Sequence, residues 1–305
     1  MPASSVTAPV SATAHHRLRP HYRHHYRHHY RHHYRHHLHR VSSGPNLRST
    51  EVLVLDETHA KVLYARRADV PQPIASISKL MTAMVLLDAQ QPLGQMLEIT
   101  REDRAIGRGA ADRLEIGTQL SRGDLLHLAL MASDNRAAHA LGRSYPGGLQ
   151  AFVRAMNAKA RALGMRTAHF VEPTGLSSEN VASPDDLAKM VAAAARYPLI
   201  RRYSTAHHFS VWVHNRRGRR RLIAFHTTDP LVANPGWKIV VQKTGFINPA
   251  GRCLVMQAVI DHRTVVMVLL HSWGRYTRVA DARRVRRWVK ARLSVRAVRA
   301  GHSTA

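Results

Sequence analysis

The stretch "PIASISKLMTAMVLLDA", Pro73 to Ala89, sets a lysine one turn after a serine at the head of an otherwise apolar segment. Leu80, Met84, Leu87 and their neighbours predict a helix buried on most of its sides. On a solvated surface Lys79 would be an ordinary helix-terminus charge. Tied to the start of a buried helix it is costly unless something uses it. Ser76 and Lys79 stand at i and i+3, which puts the amine within hydrogen-bond reach of the hydroxyl. Serine is a poor nucleophile until a base takes its proton. A lysine that is desolvated and crowded by other cations loses its charge readily enough to serve.

Two more short motifs extend this pairing. Ser133-Asp134-Asn135 closes "SRGDLLHLALMAS" (Ser121–Ser133), a predicted helix with Ser121 as N-cap and Asp124 three residues on. Lys243-Thr244-Gly245 ends the strand-like "WKIVVQKTG". Taken singly, the first is a common cap or turn and the second a common strand end. In this order, on a helix, a helix-end loop and a strand, the trio matches the pattern of serine acyltransferases. Each residue type suits that chemistry. Ser76 is the candidate nucleophile and Lys79 its base. Ser133 would relay a proton towards the leaving amine, and Asn135 would orient a substrate amide. Lys243 supplies a second cation and attracts a substrate carboxylate, with the Thr244 hydroxyl as a further donor. Gly245 lets a substrate backbone lie against the strand. The backbone N–H groups of Ser76 and Phe246 are the candidate oxyanion donors.

The rest of the chain frames these motifs. "EVLVLDETHAKVLYARRADV" reads as two strands joined by a turn at Glu57–Ala60, and residues 101–120 as a loop region spaced by Gly107, Gly109 and Gly117. Further helices are predicted at 148–163 and 184–196. "WKIVVQKTG", "RCLVMQAVI" and "TVVMVLLHS" are strands, and a basic helix starts near Tyr276. Strands at both ends with helices between them predict a single α+β domain over 48–293, its sheet joining the two ends of the domain.

A tail over 1–47 precedes it, and a basic tail over 294–305 follows. No apolar run approaches the 18 residues of a membrane-spanning helix. The single cysteine, Cys253, allows no intramolecular disulfide.

The formal net charge is +27, and residues 1–40 hold seven arginines, twelve histidines and no acid, which leaves 20 of the 27 for the remainder. "HYRHHYRHHYRHHYRH", His21 to His36, repeats one tetrapeptide four times. It has no core-forming face and reads as a solvated polycationic tail rather than a metal site. No metal and no cofactor are expected. The second basic concentration is "RRVRRWVKARLSVRAVRA", Arg283 to Ala300. Both attract polyanions without choosing among them. The opening "MPASSVTAPVSATAHH" has no basic n-region and no apolar h-region, yet Ala12-Thr13-Ala14 fits a cleavage pattern. The expectation is a coding start upstream of Met1, with residues 1–14 the remnant of a signal peptide.

Across residues 50–290 the chain resembles the D-alanyl-D-alanine endopeptidases among the low-molecular-mass penicillin-binding proteins. The resemblance is carried by "PIASISKLMTAMVLLDA", "HLALMASDNRAAHALGRSYPGG", "FVEPTGLSSENVASPDDLAKM" and "QKTGFINPAGRCLVMQAVIDHRTVVMVLLHS". It implies a β-lactamase/transpeptidase-like fold, with an antiparallel sheet flanked by helices and a helical subdomain. It also implies hydrolysis of D-alanyl peptide bonds in peptidoglycan, chiefly the D-alanyl–diaminopimelate cross-links, and acylation by penicillin. The implied partners are peptidoglycan and β-lactam antibiotics as covalent inhibitors, and the implied location is the periplasm. Electrostatic contact with an anionic wall or membrane surface fits the tails; nucleic acid is not expected.

A D-alanyl-D-alanine carboxypeptidase is the nearest alternative. A class A β-lactamase needs a deacylating glutamate in an E-x-x-L-N loop. Glu172 lies at a suitable distance, but "EPTGL" puts Gly175 and Leu176 where Leu and Asn belong, so fast lactam hydrolysis is not expected. A basic binding module on an inactive scaffold is a reading from another class, opposed by the intact trio.

Overall fold

The computed structural model describes residues 44–104, 113–214 and 220–301, with side chains in its last helix up to Leu293. The histidine-arginine repeat, the signal remnant, Gly107, Gly109 and the side chains of the basic C-terminal tail lie outside the described residues.

β1 (Glu51–Asp56) and β2 (Lys61–Arg66) form the expected hairpin. They are followed by the short β3 (Gln72–Pro73), α1 (Ser78–Asp88), β4 (Met96–Glu98) and β5 (Gln119–Ser121). The helices α2 (Arg122–Met131), α3 (Asn135–Arg143) and α4 (Gly148–Ala162) come next. β6 (Val181–Ala182), α5 (Pro184–Ala194), α6 (Pro198–Ser204), and a hairpin of β7 (His208–His214) and β8 (Arg220–His226) lead into the last third. There β9 (Lys238–Ile247), β10 (Gly251–Ile260) and β11 (Arg263–Ser272) precede α7 (Thr277–Gly301), which continues past residue 293.

The main sheet has the order β2-β1-β11-β10-β9, antiparallel throughout. β1 pairs with β11 from Glu51↔Leu270 to Asp56↔Val265, so the first strand closes on the last. Helices cover both faces. On one, Leu254, Met256 and Ala258 of β10 pack with Val279, Ala282, Val285 and Val289 of α7. On the other, Cys253 and Val255 join the larger core that contains α1 and α2. That is why β10 and β11 read as unbroken apolar runs rather than alternating ones.

α1 lies at the centre of the larger core, with every residue from Ser78 to Leu86 buried. The starts of α2 and α5 follow the capping rules. Ser121 Oγ accepts from Asp124 N at 3.0 Å, Ser183 Oγ from Asp186 N at 3.3 Å, and Pro184 opens α5.

Three local readings change. Ser76 sits in a 3-10 turn (Ala75–Ile77) that feeds α1, not on the α-helix itself. Ser133-Asp134-Asn135 is a joint between two helices, since Asp134 caps α3 through Ala137 N at 2.9 Å. The β7–β8 hairpin was not anticipated. Its two sides present Trp212 and Leu222 to solvent, and this outward apolar pair blurs the period-2 signal.

Candidate active site

The turn that carries Ser76, the candidate nucleophile, is built by an unusual backbone. Ala75 has φ +49°, in the left-handed region that non-glycine residues seldom occupy. Ile77 N donates to Ile74 O at 3.2 Å, and Ser78 Oγ donates to Ala75 O at 2.9 Å. The turn therefore holds its shape from within, and it leaves Ser76 half-buried while Ile74, Ala75 and Ile77 are buried completely.

Lys79 is 1% exposed and bonds three acceptors: Ser76 Oγ at 2.8 Å, Asn135 Oδ1 at 2.7 Å and the Thr174 carbonyl at 2.5 Å. Three acceptors match the three N–H bonds of an ammonium. Once one proton leaves, the two remaining N–H bonds stay with the carbonyl oxygens of Asn135 and Thr174, which have no proton to give. The lone pair then faces the only partner that has one, the Ser76 hydroxyl. Burial lowers the Lys79 pKa to about 8, against the pull of Glu172 and Asp134.

Lys243, fully buried on β9, serves the second serine. Its Nζ donates to Ser133 Oγ at 2.8 Å and to the Thr244 carbonyl at 2.9 Å. Burial, then the charges of Lys79 and Arg278, push its pKa well below the ordinary lysine value, with Asp229 acting in the opposite direction. Ser133 has φ +60°, which turns the chain between α2 and α3 so that its hydroxyl meets this amine. Thr244 Oγ1 lies 2.5 Å from Thr228 Oγ1. Each lysine thus holds one serine, and all six side chains of the three motifs converge on one site. Gly245 lies against the nucleophile turn: a Cβ there would stand 3.0 Å from Ile74 O and 3.1 Å from Ser76 N. The strand carrying Phe246 therefore passes beside the Ser76 amide, and the Phe246 ring is half exposed under the Arg252 guanidinium at 4.3 Å.

Several contributors were not read from the sequence. The loop 172–180 closes one wall. Glu172 accepts from Thr174 N, Thr174 Oγ1 and Gly175 N, each at 2.6 Å, and from Asn180 Nδ2 at 2.9 Å. Its carboxylate organises this loop and presents the Thr174 carbonyl to Lys79, which removes Glu172 as a free base for deacylating water. Asn180, fully buried, also accepts from Val171 N at 2.7 Å and donates to Ser78 Oγ at 3.1 Å, tying the loop to the nucleophile turn. Arg278, 8% exposed at the start of α7, adds a cation near Lys243, while burial raises Asp229 to about 6. No short motif marks Asn180, Thr228, Asp229 or Arg278. Gly175 was the available signal. Its φ is +82°, and a Cβ would fall 1.9 Å from Ala75 O and 2.7 Å from Ser76 N. Gly175→Ala should therefore displace the nucleophile turn. Penicillin acylation should fall at least about tenfold and stability by about 2–4 kcal/mol, read by labelling rate and denaturant midpoint. Unchanged values would mean that the loop and turn are not in contact.

Comparisons with known proteins agree with this geometry. A family model described as D-alanyl-D-alanine carboxypeptidase matches residues 39–273. The chain is 47% identical over 244 residues to a D-alanyl-D-alanine endopeptidase of Pseudomonas aeruginosa, covering 80% of this chain and 78% of that protein. It is 44% identical over 249 residues to a D-alanyl-D-alanine endopeptidase of Escherichia coli, covering 82% and 79%. Among solved structures, the DD-transpeptidase of Streptomyces K15 superposes with a TM-score of 0.76 at 23% identity, over 82% of this chain and all of that one. That likeness establishes the penicillin-binding fold that the resemblance implied. With more than half its length matched by the family model and two such relatives, the chain belongs to the D-alanyl-D-alanine carboxypeptidase family of serine peptidases.

Proposed function

We propose that the protein is a D-alanyl-D-alanine endopeptidase that opens the D-alanyl–diaminopimelate cross-links of peptidoglycan through an acyl-enzyme on Ser76. The observation that carries the reaction type is the pairing of two buried lysines with two serines, Lys79–Ser76 and Lys243–Ser133.

Neutral Lys79 takes the Ser76 proton as Oγ attacks the D-alanyl carbonyl carbon. The Ser76 and Phe246 N–H groups receive the oxyanion. The C–N bond then breaks, and Ser133, held by Lys243, passes a proton to the departing amine. Asn135 keeps its Oδ1 on Lys79 and offers its Nδ2 to the substrate amide. Lys243, Thr244 and the nearby Arg278 form the cationic end that suits a substrate carboxylate. Water completes the cycle by hydrolysing the ester. A β-lactam acylates the same oxygen and remains there, since Glu172 is committed to its own loop.

The names of the two relatives quoted above favour cross-link cleavage over trimming of terminal D-alanine. Purified protein incubated with defined muropeptides separates the two. The endopeptidase converts cross-linked dimers to monomers. Release of free D-alanine from pentapeptides, with dimers untouched, would replace this reading with a carboxypeptidase.

Because the scissile bond lies in murein, we place the protein in the periplasm. The basic tail of residues 15–40 would hold it electrostatically to an anionic wall or membrane surface. Its twelve histidines gain charge below about pH 6, so retention on isolated sacculi should strengthen at pH 5.5 and weaken with salt.

A further inference from the structure

Away from the catalytic serine, α7 and the segment before β9 enclose a cleft of about 360 Å³ lined by Asn234, Trp237, Arg283, Arg286, Arg287 and Lys290. The four cations stand at i, i+3, i+4 and i+7, so they share one face of the helix. None of the six lining residues is acidic. The one acid of α7, Asp281, is fully buried: Oδ2 accepts from Ser49 N and Ser49 Oγ at 2.7 Å and from Arg48 N at 3.0 Å, and Oδ1 pairs with Arg284. Among the described residues no carboxylate forms an ion pair with Arg283, Arg286 or Arg287. Like charges at these spacings destabilise a helix, so an anion seated among Arg283, Arg286 and Arg287 would relieve a repulsion between them.

The floor of the cleft is built rather than incidental. Trp237 is 9% exposed and carries the Arg286 guanidinium 5.0 Å from its ring centroid, which fixes that side chain over the cleft. Asn234 Oδ1 accepts from Gly236 N at 2.9 Å, leaving the amide NH₂ as its donor side. The cleft surface is mostly apolar, and the three arginines at its rim carry planar forks of donors, the geometry that matches phosphate oxygens in a bidentate manner. The volume lies within the range of small-ligand sites and accommodates a diphosphate or a phosphodiester head.

We propose that this cleft is a second binding site, separate from the peptidase centre, for a phosphate-bearing anion. The same chemistry is offered by a free phosphate compound and by a phospholipid headgroup, and the test has an arm for each. Full-length protein is titrated with inorganic pyrophosphate while tryptophan fluorescence is followed. It is also sedimented with vesicles of phosphatidylglycerol and phosphatidylcholine, and with vesicles of phosphatidylcholine alone. The variant is Arg283→Glu/Arg287→Glu, two exposed positions on the helix surface, with glutamate at 283 one turn before Arg286. The control, Arg154→Glu/Arg161→Glu on the exposed face of α4, changes net charge equally.

Saturable pyrophosphate binding that weakens at least tenfold in the variant, and less than twofold in the control, is the expected result. Sedimentation with phosphatidylglycerol that pyrophosphate competes away identifies the headgroup as the source; pyrophosphate binding without sedimentation identifies a soluble phosphate. No saturable binding of either probe, or equal losses in variant and control, would overturn the site. So would duplex DNA bound through Arg283 and Arg287 with no competition from pyrophosphate.

Discussion

Ser76→Ala is expected to leave a folded protein that a fluorescent penicillin no longer labels, with acylation reduced by on the order of 10⁴-fold or more. The hydroxyl is half-buried, and among the described residues its Oγ takes part in one hydrogen bond, accepting from Lys79. Its removal therefore leaves the turn intact, since that turn is held by Ile77 N, Ser78 Oγ and Asn180. The measurement is gel fluorescence after labelling, with thermal unfolding alongside to confirm the fold. Equal labelling of wild type and variant would remove Ser76 as nucleophile. Labelling that moves to Ser133 would assign the acyl group to the other lysine–serine pair.

The second large effect belongs to Lys79. An arginine there keeps a positive charge at every accessible pH and has no lone pair to offer, so Lys79→Arg should slow acylation by about a hundredfold or more. The wild-type pH profile carries the sign of the argument. With a pKa of about 8, roughly a tenth of Lys79 is neutral at pH 7, half at pH 8 and nine-tenths at pH 9. If the neutral amine is the base, acylation by penicillin rises almost tenfold from pH 7 to pH 9. A rate that falls over this range would mean that the ammonium is the working form.

Linkage gives an independent reading. The folded pKa lies below the ordinary value of 10.5, so the unfolded chain binds more protons between about pH 8 and 10.5. The Lys79 contribution to stability therefore grows as pH rises through that window. At pH 7 the charged form is held in the core at a cost of roughly 3 kcal/mol, the size of that shift. Lys79→Met removes that cost but leaves Asn135 Oδ1 and the Thr174 carbonyl without their donor, so it should lose acylation with little net change in stability.

Much of the protein follows from the sequence alone. A lysine embedded in "SISKLMTAMVLL" had to be buried, because the apolar residues around it leave no polar face for the helix. Three motifs in fixed order then named six side chains that the fold does bring together. The strands of the main sheet were legible because β1 and β2 flank a short turn at Glu57–Ala60, and β10 and β11 are apolar runs broken by Asp261 and His262. These are local signals, set by periodicity and turn chemistry.

Tertiary structure decided what depends on distance between remote segments. Which lysine holds which serine is one case: Lys243 reaches Ser133 across 110 residues, and Lys79 reaches Thr174 across 95. The role of Glu172 is another, since only the folded loop shows both its oxygens taken by the donors of residues 174–180. The depressed pKa values of the two lysines arise from desolvation, joined at Lys243 by the charges of Lys79 and Arg278, which no residue pattern contains. The cleft on α7 belongs here too: the sequence shows a basic helix, but only its position beside Trp237 and Asn234 sets one stripe of its charges around a cleft.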